Sequence, residues 1–361
     1  MLKGLTIGDI TARVPIVQGG MGVAISLSGL AAAVANEGGI GVIATAGIGM
    51  DEPNLMSDFL EAHRQALRRE IRTAREKTNG IIGVNIMVAL TNYADMVAVS
   101  IEEGVDVIFS GAGMPINLPG YRKEGTKTKL VPIVSSGRAA AIICKRWIGK
   151  FGYVPDALVV EGPMAGGHLG FRIENIDDPA YKLEVILGDV LREVRVFEKE
   201  CGKTIPVIAG GGVYTGKDMR RILELGAAGV QMATRFVTTH ECDASQTFKD
   251  AYLAAKKEDL VIIKSPVGMP GRAIRNKFIN DVARGERKPF KCPFHCIITC
   301  DVTNSPYCIA LALGNAKLGY LDRGFAFSGA NGYRNKEMVS VKQLMKTIIE
   351  EYEASAPAAT A

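Results

Sequence analysis

A histidine flanked by glycines is the clearest candidate for chemistry in this chain. His168 lies in the run Ala-Gly-Gly-His-Leu-Gly at 165–170. An imidazole titrates near neutral pH, so it can move a proton at a substrate carbon or polarise an oxygen. A histidine that only hydrogen-bonds a turn is the alternative, and the glycine setting by itself leaves both interpretations open. His63, His240 and His295 lack such a setting, and we expect no catalytic role for them.

Two groups of small residues are suited to binding a phosphate. Three consecutive glycines occupy 210–212, and Ala233 is followed by Thr234. Small residues let backbone N–H groups approach a ligand closely, and the N–H groups that begin the following helix attract an anion. Each glycine could instead make a tight turn, but small residues follow nearly every apolar run. No G-x-G-x-x-G sequence follows an apolar run to indicate a Rossmann dinucleotide site.

Eight short apolar runs are the elements that must position these residues. They cover 14–17, 40–44, 81–86, 105–110, 130–134, 157–160, 205–209 and 229–233. Each run is rich in Val and Ile and apolar on both faces, as expected of a strand covered by helices outside and packed side chains inside. The count predicts an α/β fold, a parallel (β/α)₈ TIM barrel with its active site at the carboxyl ends of the strands. A doubly wound open sheet is the alternative, because it produces a similar rhythm.

The barrel pattern accounts for residues 1–240, and residues 241–361 are predicted to form a helical extension packed on the barrel. Composition is that of a globular protein, with 47% hydrophobic and 22% charged residues. The net charge of +5 is small for this length, and the lysines and arginines lie among acidic residues, as in 61–76, which gives nucleic-acid binding no support.

The chain shows no pattern of a membrane or secreted protein. Apolar runs end well before the ~20 residues of a membrane span, and no signal-peptide pattern opens the chain. We therefore expect a cytoplasmic protein without membrane contact. Seven cysteines, an odd number, argue against a secreted disulfide framework.

Together these sequences resemble the nitronate monooxygenase family, formerly called 2-nitropropane dioxygenases, and the related FabK-type enoyl-ACP reductases. The resemblance is carried by Gln-Gly-Gly-Met at 18–21, Gly-Val-Asn at 83–85, the His168 loop, the triple glycine and Gln-Met-Ala-Thr at 231–234. It implies a catalytic role for His168 and one bound FMN. The implied FMN contacts are Gly20, Met21, Asn85, Glu161, Gly166, Gly211, Gly212, Gln231, Met232, Ala233 and Thr234.

Two residues depart from the family pattern and leave the activity open. Glu161 stands where several nitronate monooxygenases have Gln and is typical of the reductases, and Met164 stands where the family usually has Glu. The resemblance implies oxidation of alkyl nitronates or nitroalkanes, with His168 as the base. An NAD(P)H-dependent enoyl-thioester reductase is the first alternative, and a noncatalytic flavin-binding barrel is the second. The expected partner is a small-molecule substrate, with NAD(P)H and a homodimer as further candidates.

Four of the cysteines form a second candidate site. Cys292, Cys296, Cys300 and Cys308 lie close together in sequence, and on a helix the first three would share one face. Four thiolates suit either a [4Fe–4S] cluster or a structural zinc, and unligated buried thiols are the third possibility. We predict a metal centre, with iron–sulfur ahead of zinc because a redox enzyme can use it. The family members that the chain resembles lack this element.

Overall fold

The computed structural model describes residues 2–286 and 292–356, and a closed barrel of eight parallel strands lies at its centre. The strands are β1 (Ile16–Gln18), β2 (Ile40–Ala44), β3 (Ile81–Met87), β4 (Val107–Gly111), β5 (Lys129–Val134), β6 (Leu158–Glu161), β7 (Val207–Gly210) and β8 (Gly229–Met232). Each strand pairs with the next, and β8 pairs with β1 to close the ring. The barrel prediction is confirmed, and every predicted run overlaps one strand.

Helices surround the barrel on its outer face. They are α1 (Ser28–Asn36), α2 (Phe59–Lys77), α3 (Tyr93–Glu102), α4 (Gly137–Phe151), α5 (Leu183–Cys201) and α6 (Gly216–Glu224). Only a 3₁₀ turn, Leu118–Tyr121, lies between β4 and β5. An N-terminal hairpin of Leu5–Ile7 and Ile10–Ala12 packs its apolar side chains against the barrel interior. Among the described helices, none is long and apolar enough to cross a membrane.

The chain beyond β8 does not return directly to the outer ring. It forms α7 (Thr234–Val237), α8 (Gln246–Ala254), the antiparallel strands β9 (Leu260–Lys264) and β10 (Pro270–Ile274), α9 (Lys277–Ala283), α10 (Ile309–Lys317) and α11 (Val341–Ala354). Helix α11 packs on α6 and α1 and so occupies the last position of the ring. The division at residue 240 stays a prediction. By its contacts α11 is part of the barrel. The segment before it, here called the cover (residues 241–286 and 292–340), borders the barrel mouth.

Candidate functional site

One cavity of about 510 Å³ opens at the carboxyl ends of the barrel strands. Its wall includes His168 and every residue that the resemblance assigns to FMN, namely Gly20, Met21, Asn85, Glu161, Gly166, Gly211, Gly212, Gln231, Met232, Ala233 and Thr234. The parallel barrel brings these residues together because each follows or ends a strand. Their individual roles remain predictions, whereas their presence in one cavity is a property of the fold.

His168 is held on a short strand and not in a free loop. Gly167–His168 pairs antiparallel with β10, where Gly271 lies opposite His168. The Nε2 atom of His168 lies 2.7 Å from the hydroxyl of Ser265, and the imidazole meets the ring of Phe327 edge-on at 5.0 Å. Burial lowers the pKa of His168 to about 4. The imidazole is therefore neutral at neutral pH, the state in which it can accept a proton.

The partners of His168 were missed by the sequence analysis. Ser265 and Phe327 both lie in the cover, where no apolar run marks a barrel strand. The hydroxyl of Tyr252 donates to the carbonyl of Phe327 and holds that segment in place. Two small-residue stretches, Ser-Pro-Val-Gly-Met-Pro-Gly at 265–271 and Ser-Gly-Ala-Asn-Gly at 328–332, were the available signal. Neither stretch follows a predicted barrel strand, so the rule that active-site residues follow strand ends does not point to them.

A buried arginine holds the loop that leads from β6 to His168. The guanidinium of Arg272, on β10, donates to the carbonyls of Pro163 at 2.8 Å and Ala165 at 3.2 Å. Burial lowers the pKa of Arg272, and the charge of Asp177 acts in the opposite direction. Next in this loop, a Cβ on Gly166 would lie 2.5 Å from the backbone nitrogen of Gly329. The loop that carries His168 and the cover therefore approach each other closely at Gly166.

The triple glycine forms a wall that needs glycine for two reasons. Gly211 and Gly212 have φ angles of +91° and +105°, which residues with a side chain rarely adopt. A Cβ on Gly211 would also lie 2.6 Å from the carbonyl oxygen of Gly162. The amide of Asn331, from the cover, donates to the carbonyl of Gly212 at 2.8 Å. Bare backbone at one side of a largely apolar cavity fits the phosphate and ring of a flavin mononucleotide.

Glu161 ends β6 and lines the same cavity as His168. Burial raises the pKa of its carboxyl to about 7, so this carboxyl changes its protonation state near neutral pH. A neutral imidazole and a carboxyl that still carries a proton for part of the time provide a proton acceptor and a proton donor in one chamber. The arrangement can therefore accommodate proton transfer to and from a small substrate.

The cysteines depart from the helical arrangement that was predicted. Cys292, Cys296 and Cys300 lie in an irregular segment, so the prediction of one shared helical face is wrong. Pro293 lacks a backbone N–H, and His295 has a φ of +47°, both unfavourable to a helix. Within residues 2–286 and 292–356, no group of three or more His, Cys, Asp or Glu side chains is arranged to hold a metal ion. That result gives the predicted metal centre no support as the side chains stand, and none of these cysteines takes part in a disulfide bond.

Comparison with known proteins gives a consistent set of similarities. The family model described as nitronate monooxygenase matches residues 5–351. The chain is 30% identical over 273 residues to the (3aS,4S,5R,7aS)-5-hydroxy-7a-methyl-1-oxo-octahydro-1H-indene-4-carboxyl-CoA dehydrogenase of Mycobacterium tuberculosis, a match that covers 76% of this chain and 66% of that relative. It is 27% identical to a probable nitronate monooxygenase of Staphylococcus saprophyticus, with coverages of 76% and 79%. The chain thus spans slightly less than two thirds of the first of these relatives.

Two solved structures have the same architecture. FabK from Thermotoga maritima is 30% identical, with a TM-score of 0.72 and coverage of 95% of this chain and 93% of that one. The nitroalkane oxidase from Streptomyces ansochromogenes also has a TM-score of 0.72, at 21% identity and coverages of 95% and 96%. At that identity the second comparison supports the fold alone.

Proposed function

Because the chain belongs to the nitronate monooxygenase family, we propose that it is an FMN-dependent oxidoreductase that oxidises alkyl nitronates or nitroalkanes. The family match confirms the resemblance predicted from the sequence. The observation that carries the proposal is the single cavity in which the glycine-rich strand ends and the half-buried, neutral His168 meet. A small-molecule substrate and a cytoplasmic location are part of this proposal, and a homodimer stays a prediction.

We assign the FMN contacts in two groups. Gly211, Gly212 and the residues at 231–234 would bind the phosphate, because they end the seventh and eighth strands, where such barrels often bind it. The remaining contacts would lie along the ring: Gly20, Met21, Asn85, Glu161 and Gly166. Bound FMN would supply the redox chemistry, and the protein would supply position and electrostatics.

His168 would act as the base for a neutral nitroalkane. Its neutral imidazole would accept the proton from the carbon that bears the nitro group, and the pair of electrons left on carbon would give the nitronate. The hydroxyl of Ser265, 2.7 Å from Nε2, would fix the ring orientation and the tautomer. The edge of Phe327 and the neighbouring apolar wall would exclude water from the reacting carbon.

Reduction of an enoyl thioester is the second candidate. Glu161 favours it, because this residue is typical of the reductase branch. In addition, FabK from Thermotoga maritima is 30% identical to this chain, as is the Mycobacterium tuberculosis relative whose name describes a carboxyl-CoA dehydrogenase. In that reaction NAD(P)H would reduce the flavin, and His168 would assist at the thioester carbonyl. Both activities use the same chamber, so the electron donor distinguishes them.

The test is anaerobic stopped-flow spectroscopy of the purified holoprotein. An alkyl nitronate, NADH and NADPH are mixed with it in separate runs, and the flavin absorbance is followed. Bleaching by the nitronate is the expected result. Bleaching by NADH or NADPH alone, followed by reoxidation with an enoyl thioester, would favour the reductase. A flavin that none of them bleaches would favour a noncatalytic flavin-binding barrel and overturn the proposal.

A further inference from the structure

Four cysteines from the stretch 292–308 line a second, smaller cavity. Cys292, Cys296, Cys300 and Cys308 all border this space of about 210 Å³, whose other walls are mostly aliphatic. Cys296 also lines the large cavity at the barrel mouth. The two cavities therefore share a wall, and the thiols lie beside the chamber that we assign to FMN.

The cysteine segment is fixed to the barrel by backbone hydrogen bonds. The N–H of Thr91 donates to the carbonyl of Cys296 at 3.1 Å, and the N–H of Ile298 donates to the carbonyl of Ala89 at 2.9 Å. Leu90 and Ile297 pair between these bonds as an isolated antiparallel bridge. The segment is thus anchored to the loop after β3, and the anchors place Cys296 at the shared wall.

The four thiols share one small space. Cys292, Cys296 and Cys300 reach it from an irregular segment, and Cys308 reaches it from the position that precedes α10. Four thiolates in so small a space would repel one another, and bound metal ions would offset that repulsion.

A backbone donor is already directed at one of the sulfurs. The N–H of His295 donates to the Sγ of Cys292 at 3.3 Å. Cys308 immediately precedes α10 as its N-cap residue. Hydrogen bonds to cysteine sulfur are a recurring means of tuning iron–sulfur clusters.

We propose that Cys292, Cys296, Cys300 and Cys308 bind a [4Fe–4S] cluster, with one thiolate on each iron. Each thiol would release its proton on ligation. A single zinc ion needs every sulfur at about 2.3 Å from one centre, and the described side chains form no group that could hold a metal ion as they stand. A cluster gives each thiolate its own iron and so holds the sulfurs farther apart. The proposal depends on these cysteines alone and not on the proposed activity.

The test is metal analysis of the full-length protein, prepared anaerobically and reconstituted with iron and sulfide. Fe(II) and Fe(III) are supplied in equal amounts, because the resting cluster contains both. We expect about four iron and four acid-labile sulfide per chain, with an electron paramagnetic resonance signal after dithionite reduction. Cys300→Ser should lose most of the iron and the signal. Cys201→Ser, at the end of α5 and outside both cavities, is the matched control and should keep them.

Three results would overturn the proposal. One is reconstituted protein that remains folded, by circular dichroism, with neither iron nor sulfide. Another is stoichiometric zinc in their place. The third is undiminished iron in a folded Cys296→Ser, Cys300→Ser double variant. If the variants do not fold, the iron and sulfide content of the parent decides. Flavin is measured in the same samples, so protein with a cluster but no FMN would count against the proposed function and not against the cluster.

Discussion

The barrel supplies most of the wall of the large cavity and the cover supplies the rest, and the two parts are built by different means. In the barrel part, residues such as Glu161 and Gln231 reach the cavity because strands β6 and β8 end there. In the cover, Phe327 at the wall and Ser265 behind His168 are placed by individual hydrogen bonds and ring contacts. Repeating backbone geometry thus builds most of the chamber, and a few irregular contacts complete it beside His168. Substitutions in the two parts should therefore have different effects.

The largest effect on activity is expected at His168, where the barrel part of the cavity meets the cover. His168→Asn should keep FMN bound and lower turnover of a neutral nitroalkane by roughly 10²–10⁴, the usual contribution of a positioned acid or base. A preformed nitronate needs no deprotonation, so its oxidation should decrease much less. Oxygen consumption with the two substrates measures the difference. Equal rates for variant and parent on both substrates would remove His168 from the mechanism.

Removing the buried guanidinium of the cover should cost stability as well as activity. Arg272→Met leaves the carbonyls of Pro163 and Ala165 without their donor, which should reduce the free energy of unfolding by roughly 2–4 kcal/mol. Urea denaturation monitored by circular dichroism measures it. Arg192→Met is the control, because that exposed arginine on α5 pairs, among the residues that the structure describes, with Asp189 alone and should change stability by less than about 0.5 kcal/mol. A loss as small as the control's would show that the arginine does not hold the loop.

A methyl group added at Gly211, in the barrel part of the cavity, should weaken FMN binding. Gly211→Ala meets the carbonyl of Gly162 and an unfavourable φ together, so we expect the FMN dissociation constant to rise about tenfold, equivalent to ~1.4 kcal/mol. Gly202→Ala is a matched control, since its φ is also positive at +64° but nothing lies within 4 Å of the added Cβ. Quenching of flavin fluorescence on titration with apoprotein gives both constants. Parallel changes in the two variants would mean that Gly211 has no special place in binding.

The smallest effect concerns pH. The pKa of Glu161 is raised from 4.5 to about 7 by burial, so its contribution to stability is complete below pH 4.5 and is lost as the pH rises through 7. In flavin-free protein, Glu161→Gln should be more stable relative to the parent at pH 8 than at pH 5. We expect a difference of about 1 kcal/mol, since the carboxyl opens onto a cavity where solvent screens it. Urea midpoints at the two pH values measure it. The same difference at both pH values would mean that the carboxyl titrates normally.

The barrel could be predicted because most residues of its strands are buried on both faces, so that the strands appear as largely apolar runs. Its errors are small ones at the ends, as in the first run, which was placed at 14–17 and lies at Ile16–Gln18. The position of the cavity could also be predicted, because the carboxyl ends of the strands in a parallel barrel lie together at one face, however far apart they are in the sequence. Family resemblance then added the roles of Asn85 and Glu161, which no local pattern would have suggested.

The cover could not be predicted in the same way because its contacts join residues that are distant in sequence. Ser265 lies 97 residues from His168, and no periodicity links the two. The cysteine segment shows the opposite error, where a regular spacing suggested a helix that does not form. Instead, backbone hydrogen bonds to Thr91 and Ala89 hold the cysteine segment in an extended bridge. The spacing predicted that these cysteines lie near one another, but it did not predict the conformation of the segment that carries them.

Helix α11 has a consequence for how this protein is made. The last barrel strand ends at Met232, yet the helix that closes the outer ring begins only at Val341. Until it emerges from the ribosome, α1 and α6 lack the surface that buries against Leu344, Met345 and Ile348. Domains generally fold as units during synthesis. The apolar surface of α1 and α6 that packs against α11 therefore stays exposed while the whole cover is translated. During this interval a chaperone would have the most apolar surface to protect.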